Sequence, residues 1–180
     1  LDLNKNQIFL ARDRFGIKPL YYIFNKDFFS ISSEIKSFLA INNFKFKLNK
    51  KHISEYFIFK YLAPPNTLIS EINLMLPGEL IVLENNQIKK KIYFDFQNYN
   101  EKIDTKDNKL ESLKEKLKLS VKSQLMSDVN IGCQLSGGID SSLITLFAKN
   151  YSKKLDTFSV LFKEKELSEE IYIKKVTDEL

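Results

Sequence analysis

The sequence is poor in the residues that build disulfide frameworks and histidine-based sites. Its 180 residues include one cysteine, Cys133, one histidine, His52, and no tryptophan. A single cysteine excludes an internal disulfide and is typical of proteins in a reducing compartment. With a single histidine, the chain has almost none of the residues that a histidine-rich zinc site or a Ser-His-Asp triad requires. We therefore interpret His52 as a surface or packing residue and Cys133 as a small buried apolar residue inside a strand.

Long hydrophobic runs are also absent. No stretch approaches the ~20 apolar residues of a membrane-spanning helix, and no pattern typical of a signal peptide is present. We therefore expect a cytoplasmic protein without a membrane partner. The sequence starts at Leu1 and stops at Leu180 within a helical pattern. From this we expect a piece of a longer protein.

Composition is that of a globular protein with scattered charge. Hydrophobic residues make up 43% of the chain, which is enough for the packed core of one domain or of two small ones. The formal net charge is +5, but the lysines are dispersed among acids, and only residues 89–91 form a lysine run. Dispersed charge is typical of solvated surfaces, so we expect no nucleic-acid partner.

A turn rich in glycine and serine, residues 136–142 (SGGIDSS), is the most informative stretch. It follows a short apolar run, residues 130–135, and precedes an apolar segment of helical spacing, residues 143–147. This pattern predicts a buried strand, a tight turn and the start of a helix. The first amides of a helix have no intrahelical partner, and glycine lets a ligand approach the backbone closely. The turn is therefore suited to binding a phosphate group.

The string Ser-Gly-Gly-x-Asp-Ser resembles the pyrophosphate loop of the N-type ATP pyrophosphatases, which split ATP between its α and β phosphates to adenylate a substrate. It lacks the Gly-Lys-Ser/Thr ending of a Walker loop. The resemblance implies ATP and Mg²⁺ as cofactors, with Asp140 as the metal ligand. The residues that it implies for ATP and pyrophosphate binding are Ser136, Gly137, Gly138, Ile139, Asp140, Ser141 and Ser142.

Strands and short helices are predicted in the first half. The pattern favours a strand at 7–10, a hairpin of 21–24 with 28–32, and a final hairpin over 76–94. A helix should begin after a serine cap at 33–39. A second helix is predicted over 49–61, where Ile53, Phe57 and Tyr61 recur at steps of four and are therefore assigned to the core.

Residues 11–22 (ARDRFGIKPLYY) and 32–39 (SSEIKSFL) resemble the later part of the glutaminase domain of glutamine-hydrolysing asparagine synthetases. Residues 77–79 (PGE) and 93–94 (YF) resemble the end of that domain. The resemblance implies the end of an Ntn-type αββα amidotransferase sandwich. In that family the catalytic nucleophile is a cysteine at the first position, where this chain has Leu1, so none of the glutaminase nucleophile is present. We interpret Arg12, Asp13 and Glu34 as structural or interface residues.

The second half alternates between helices and strands. A helix with an apolar face is predicted from Leu110 to Leu125, capped by Asp107 or Asn108. The strand before the turn, a second strand within 155–162 and a helix after 168–170 then predict a parallel sheet. Ligands of such sheets bind at the carboxyl ends of the strands. In the resembling family these ends contact adenosine, which implies contacts from Gln134, Leu135 and Val160; Gln134 stands where the family often has an apolar residue.

The predicted fold class is therefore α+β followed by α/β. Residues 1–95 are assigned to the C-terminal part of a glutamine amidotransferase type 2 domain, and 96–108 to a linker. Residues 109–180 are assigned to the N-terminal part of a parallel-sheet ATP pyrophosphatase domain, which is adenine nucleotide alpha hydrolase-like. A synthetase of this kind adenylates aspartate with ATP and transfers ammonia from glutamine, giving asparagine, glutamate, AMP and pyrophosphate. ATP, aspartate and glutamine are the expected small-molecule partners, and a homodimer is left open.

Other functions stay open on the sequence. A tRNA-modifying ATP pyrophosphatase uses the same loop, although it offers no reason for the segment 11–22. A truncated copy without catalytic activity is a second alternative, and we expect the isolated chain to be inactive. Relatives that amidate sugar acids of polysaccharides or close β-lactam rings share both motifs, so the acceptor acid is not determined.

Overall fold

The structure is a computed structural model that describes residues 1–42, 44–98, 109–152, 154–164 and 168–179. The chain divides into two compact units, Leu1–Lys102 and Ile103–Leu180. Most of the predicted linker, residues 99–108, lies outside the described residues, as do the predicted caps Asp107 and Asn108 and the terminal Leu180. The described start of the linker forms a short 3₁₀ turn at Phe96–Asn98.

Two small antiparallel sheets organise the first unit. Their strands are β1 (Gln7–Ala11), β2 (Tyr21–Phe24), β3 (Phe29–Ser32), β4 (Asn73–Leu74), β5 (Glu79–Glu84) and β6 (Gln87–Ile92). In the first sheet β5 lies between β1 and β6, and in the second β2 lies between β3 and β4. The predicted first strand and the hairpin 21–32 are confirmed.

The core of this unit lies on both faces of β2. Leu10 and Ile81 of the first sheet pack with Tyr22 of the second sheet. The next residue along β2, Ile23, belongs to a separate cluster with Phe38. Successive side chains of a strand point to opposite faces, so β2 contributes to two clusters. The first unit therefore has a mixed architecture of short helices and two small sheets.

The final hairpin joins β5 to β6 through a two-residue turn. Asn85 and Asn86 have φ of 49° and 56°. Two successive residues with positive φ are the mark of a type I′ turn, whose twist matches that of the strands it joins. Asparagine tolerates this conformation better than most residues. The hairpin predicted over 76–94 is thus confirmed, with its turn at these two residues.

The helices of the first unit differ from the prediction. The segment predicted as a helix at 33–39 forms a 3₁₀ helix, Ile35–Ala40, without a side-chain cap. The helix α1 covers only Ile53–Phe59. The core role predicted for Phe57 and Tyr61 is wrong, because they are 67% and 62% exposed, and Ile53 is only half-buried. Helical spacing shows which residues share a face but not whether another element covers that face.

Arg12 and Asp13 shape the loop between β1 and β2. Arg12 is buried, and its guanidinium donates to the carbonyl oxygens of Lys18, Gly16 and Met75. The Asp13 carboxylate accepts the amides of Phe15, Ile17 and Lys18 at 2.9–3.1 Å. Both residues therefore serve local backbone groups, in agreement with the structural role inferred from the sequence.

We expect Asp13→Asn to lower the stability of the first unit fully above about pH 4, and we expect this loss to shrink as the pH falls through the lowered folded-state pKa of Asp13. The amides of Lys18 and Ile17 hold the pKa of Asp13 below its usual range. A lowered folded-state pKa gives stability that is complete above the unfolded-state pKa of about 3.9 and is lost as the pH falls through the folded value. Urea unfolding between about pH 2 and pH 7 measures this. Asp27→Asn, an exposed position in the β2–β3 turn, is the control, and an effect of Asp13→Asn independent of pH would contradict the assignment.

A parallel pair of strands organises the second unit. β7 (Gly132–Gln134) pairs with β8 (Asp156–Phe158), with Cys133 opposite Thr157. Three helices accompany them: α2 (Lys109–Gln124), α3 (Ile139–Lys149) and α4 (Glu170–Glu179). The predicted alternation and the parallel pairing are confirmed. None of the described helices has the length and apolar character needed to cross a bilayer.

Burial in the second unit is lower than predicted. Gly132 and Gln134 are exposed and Cys133 is half-buried, so the prediction of a buried strand is wrong. Among the described residues β7 pairs with β8 alone, and a two-stranded sheet leaves much of each strand uncovered. Helix α2 contacts α3, but Leu110 and Leu113 on its apolar face stay exposed.

Candidate functional site

The ends of the two parallel strands are joined directly. The amide of Leu135 donates to the carbonyl oxygen of Phe158 at 2.9 Å, and the Ser159 hydroxyl donates to the carbonyl oxygen of Leu135 at 2.7 Å. Leu135 is 1% exposed and is the best-buried residue of this edge. Since parallel strands end at the same edge of a sheet, the residues that follow β7 and β8 face one cleft.

A glycine turn connects β7 to α3. Gly137 has φ of +79°, and Gly138 has extended backbone before the helix begins at Ile139. The first α-helical bond runs from the Ser142 amide to the Gly138 carbonyl oxygen at 3.0 Å. The amides of residues 139–141 precede that bond, and an α-helix provides no acceptor for them. The positive end of the helix dipole lies at the same place, which favours an anion.

Serine hydroxyls hold this turn together. Ser136 Oγ and Ser141 Oγ are 3.0 Å apart, and the Ser141 and Ser142 hydroxyls both contact the Gly138 carbonyl oxygen, at 3.1 and 2.7 Å. A hydroxyl has one proton to donate, so each serine must rotate before it can donate to a ligand. The backbone amides of the turn are therefore its first donors to an anion.

Gly137 lies directly against the beginning of α4. A Cβ at this position would stand 2.7 Å from Cβ of Tyr172 and 2.8 Å from the amide nitrogen of Ile173. A Cβ at Gly138 would meet only Ser136 Oγ, at 3.4 Å. Gly137 therefore allows two backbone segments to approach closely, whereas the side of Gly138 is open for a ligand.

The cleft beside the turn has a volume of about 430 Å³. It brings together the residues predicted for adenosine, Gln134, Leu135 and Val160, with Ser136 and Ser141 of the turn. One wall is apolar and the other carries hydroxyls, as a nucleotide with a base and phosphates requires. The remaining lining residues are Phe158, Ser159, Phe162 and Glu169.

The other predicted residues lie around the turn without lining this cleft. Ile139 is 85% exposed and, with Ser142, borders a second cleft of about 390 Å³ between α3 and α4. That second cleft is lined mainly by aliphatic side chains such as Leu143, Leu146 and Val176. Such a lining offers few donors for phosphate, so the cleft at the strand ends is the candidate nucleotide site.

Asp140 is an exposed carboxylate in the first turn of α3. It forms no hydrogen bond or ion pair with other residues in the described ranges, and these ranges contain no group of three acids, histidines or cysteines. Mg²⁺ commonly takes one or two carboxylates and completes its shell with phosphate oxygens and water. A free carboxylate beside a turn suited to an anion fits that requirement.

Four cleft residues were missed on the sequence. Phe158, Ser159, Phe162 and Glu169 all follow or end the second strand, where the rule for parallel sheets places ligands. The rule identifies the edge of the sheet where a ligand binds, but it does not identify which side chains line the cleft there. Among these residues, Glu169 directly precedes α4 and lies in the segment 168–170, after which the sequence predicts a helix.

Comparisons with known proteins match both halves of the chain. The model of a family described as glutamine amidotransferase domain matches residues 1–94, and that described as asparagine synthase matches 112–180. Glutamine-hydrolysing asparagine synthetase 1 of Bacillus subtilis is 36% identical over 170 residues, which are 92% of this chain and 26% of that protein. Putative glutamine-hydrolysing asparagine synthetase 2 of Methanocaldococcus jannaschii is 34% identical over 183 residues, 98% of this chain and 35% of that protein.

A fungal relative has a different name. Amidase chry2 of Gibberella zeae is 30% identical over 148 residues, 79% of this chain and 21% of that protein. The chain spans between 26% and 35% of the length of the Bacillus and Methanocaldococcus proteins.

Proposed function

Because the chain belongs to the glutamine-hydrolysing asparagine synthetase family, we propose that its second unit binds ATP at the turn formed by residues 136–142. The protein would use that ATP to adenylate aspartate and would form asparagine with ammonia taken from glutamine. The observation that carries the proposal is the turn itself. Gly137, the amides that follow Gly138 and the neighbouring cleft of about 430 Å³ support a phosphate site beside an apolar wall.

The proposed reaction has two steps. An oxygen of the substrate carboxylate attacks the α-phosphorus of ATP, the bond to the bridging oxygen breaks, and pyrophosphate leaves. Ammonia then attacks the acyl carbon of the adenylate, loses a proton and displaces AMP. Negative charge grows on the departing pyrophosphate in the first step. Donors that are already in position stabilise such charge most, and the amides of residues 139–141 are positioned by the start of α3.

We assign ATP and pyrophosphate binding to Ser136, Gly137, Gly138, Ile139, Asp140, Ser141 and Ser142. Asp140 would hold Mg²⁺, which when bound neutralises charge on the phosphate oxygens. Gln134, Leu135 and Val160 would face adenosine from the strand ends. Leu135 would contact the base, and its backbone is held in place by hydrogen bonds with Phe158 and Ser159.

We further propose that residues 1–95 end an Ntn-type αββα amidotransferase sandwich and that 109–180 begin an ATP pyrophosphatase fold, with a linker at 96–108. The two antiparallel sheets and the parallel strand pair support this division. A cytoplasmic location belongs to the same proposal, as do aspartate and glutamine as substrates.

Exchange of labelled pyrophosphate into ATP tests the proposal. We expect exchange that requires aspartate and Mg²⁺ in a protein of the relatives' full length that contains this chain, because adenylation is reversible while pyrophosphate is present. The isolated chain, which spans 26–35% of the length of those relatives, should bind ATP without catalysing exchange. Glutamate and a sugar acid, tested in place of aspartate, serve as the matched alternative acceptor acids. Exchange that depends on tRNA instead of a free acid would contradict the assignment and favour a tRNA-modifying enzyme.

A further inference from the structure

The cleft at the strand ends contains one carboxylate that the reaction does not yet use. Glu169 lines it together with Ser136 and Ser141 on the side of the turn and Leu135 and Val160 on the apolar side. It is the single charged side chain among the residues that the structure describes around this cleft. A carboxylate has only acceptor oxygens, so a single carboxylate in a site otherwise suited to an anion requires a hydrogen-bond donor on the ligand.

The position of Glu169 is set by its own backbone. Its carbonyl oxygen accepts the amides of Tyr172 and Ile173, both at 3.0 Å. These are the residues against which Gly137 packs. The first turn of α4 is therefore held against the phosphate turn, and Glu169 stands at the beginning of that helical turn. Its side chain is not engaged by another residue of the described ranges and is free to meet a ligand.

Resting on the proposed ATP site, we infer that Glu169 accepts hydrogen bonds from the ribose hydroxyls of the bound nucleotide. A carboxylate has only acceptor oxygens, so it repels phosphate oxygens and pairs with donors. The ribose is attached directly to the α-phosphate and so lies next to the turn, whereas adenine reaches the apolar wall. The carboxylate that binds ribose hydroxyls in dinucleotide-binding folds meets the same need.

Glu169 thereby selects ribonucleotides. Glu169 is exposed in the chain without a ligand, and a nucleotide in the cleft would cover it. A ligand without the ribose hydroxyl would leave this carboxylate without its donor, and sites that hydrogen-bond a hydroxyl discriminate against analogues that lack it. Glu170, the next residue, provides a matched control. Its carboxylate forms an ion pair with Lys174 at 2.7 Å, and it does not line the cleft.

Equilibrium binding of ATP, 2′-deoxy-ATP, 3′-deoxy-ATP and inosine triphosphate to the full chain tests the inference. We expect the wild-type protein to prefer ATP over the deoxy analogues by about 10- to 100-fold. Glu169→Ala should reduce this preference to about 2-fold or less, Glu169→Gln should give an intermediate value, and Glu170→Ala should keep the wild-type ratio. Circular dichroism of each variant reports whether α4 and the rest of the fold are retained.

The outcomes distinguish the role inferred for Glu169 from the proposed ATP site on which that inference rests. A folded Glu169→Ala variant that binds ATP with an unchanged ribose preference overturns the inference and leaves the ATP site intact. A variant that changes the ratio of ATP to inosine triphosphate instead shows that the carboxylate faces the adenine amino group, which also overturns it. A wild-type protein that binds none of these nucleotides overturns both.

Discussion

Gly137→Ala should destabilise the second unit by about 2–4 kcal/mol, whereas Gly138→Ala should change its stability by less than about 1 kcal/mol. Gly137 has φ of +79°, which strains alanine, and its new Cβ would overlap the backbone of Tyr172 and Ile173. Gly138 has φ of −72°, and its Cβ would meet only a serine hydroxyl at 3.4 Å. Urea unfolding monitored by circular dichroism measures the difference.

ATP binding should depend on Gly138 even though the stability of the second unit hardly does. Gly138→Ala places a methyl group on the open side of the turn, so it should weaken ATP binding by about 10-fold or more in a protein that stays folded. Equal destabilisation by both substitutions would show that α4 does not hold the turn as the structure has it. Normal ATP affinity in folded Gly138→Ala would place the phosphates elsewhere.

In a full-length protein that contains this chain, Asp140→Asn should reduce ATP–pyrophosphate exchange by about 100-fold or more, which corresponds to about 2.7 kcal/mol of transition-state stabilisation. Asparagine keeps the shape of the side chain but removes the charge that would hold Mg²⁺ against the phosphates. Asp140 is exposed and lies in the first turn of α3, so the loss of charge should leave folding nearly unchanged. Exchange rates measured over a range of Mg²⁺ concentrations report the effect.

Asp178→Asn is a suitable control for Asp140→Asn because Asp178 is an exposed acid near the end of α4. In a full-length protein that contains this chain and a glutaminase nucleophile, glutamine hydrolysis should persist in both variants, since the proposed ATP site lies in the second unit. Wild-type exchange in Asp140→Asn, or a loss that more Mg²⁺ does not alter while ATP binding is unchanged, would refute the metal role of this carboxylate.

The turn and its surroundings were predictable because their signals are local. Two glycines followed by a helical apolar segment require a turn and a helix start at 136–147, and both are present. Alternation of strand and helix patterns predicted the parallel pairing of β7 with β8. Asn85 and Asn86 likewise mark a hairpin through their tolerance of positive φ.

The predictions of burial were wrong where burial depends on whether another element covers one face of a helix or strand. The apolar residues of α1 have perfect helical spacing, yet Phe57 is mostly exposed. Gly132 and Gln134 lie in a strand that was predicted to be buried, but β8 is the one strand beside it among the described residues. Periodicity within a segment contains no information on the presence of a neighbour.

The order of residues alone thus predicted the strands and hairpins of the first unit, the glycine–serine turn before α3 and the family resemblance. It did not distinguish Gly137 from Gly138, although one is packed against α4 and the other is open. Nor did it bring Glu169 into the same cleft as Ser136 and Leu135. Backbone conformation depends mainly on neighbours in the chain, whereas close approach and shared clefts depend on segments far apart in the chain that meet only when helices and strands pack.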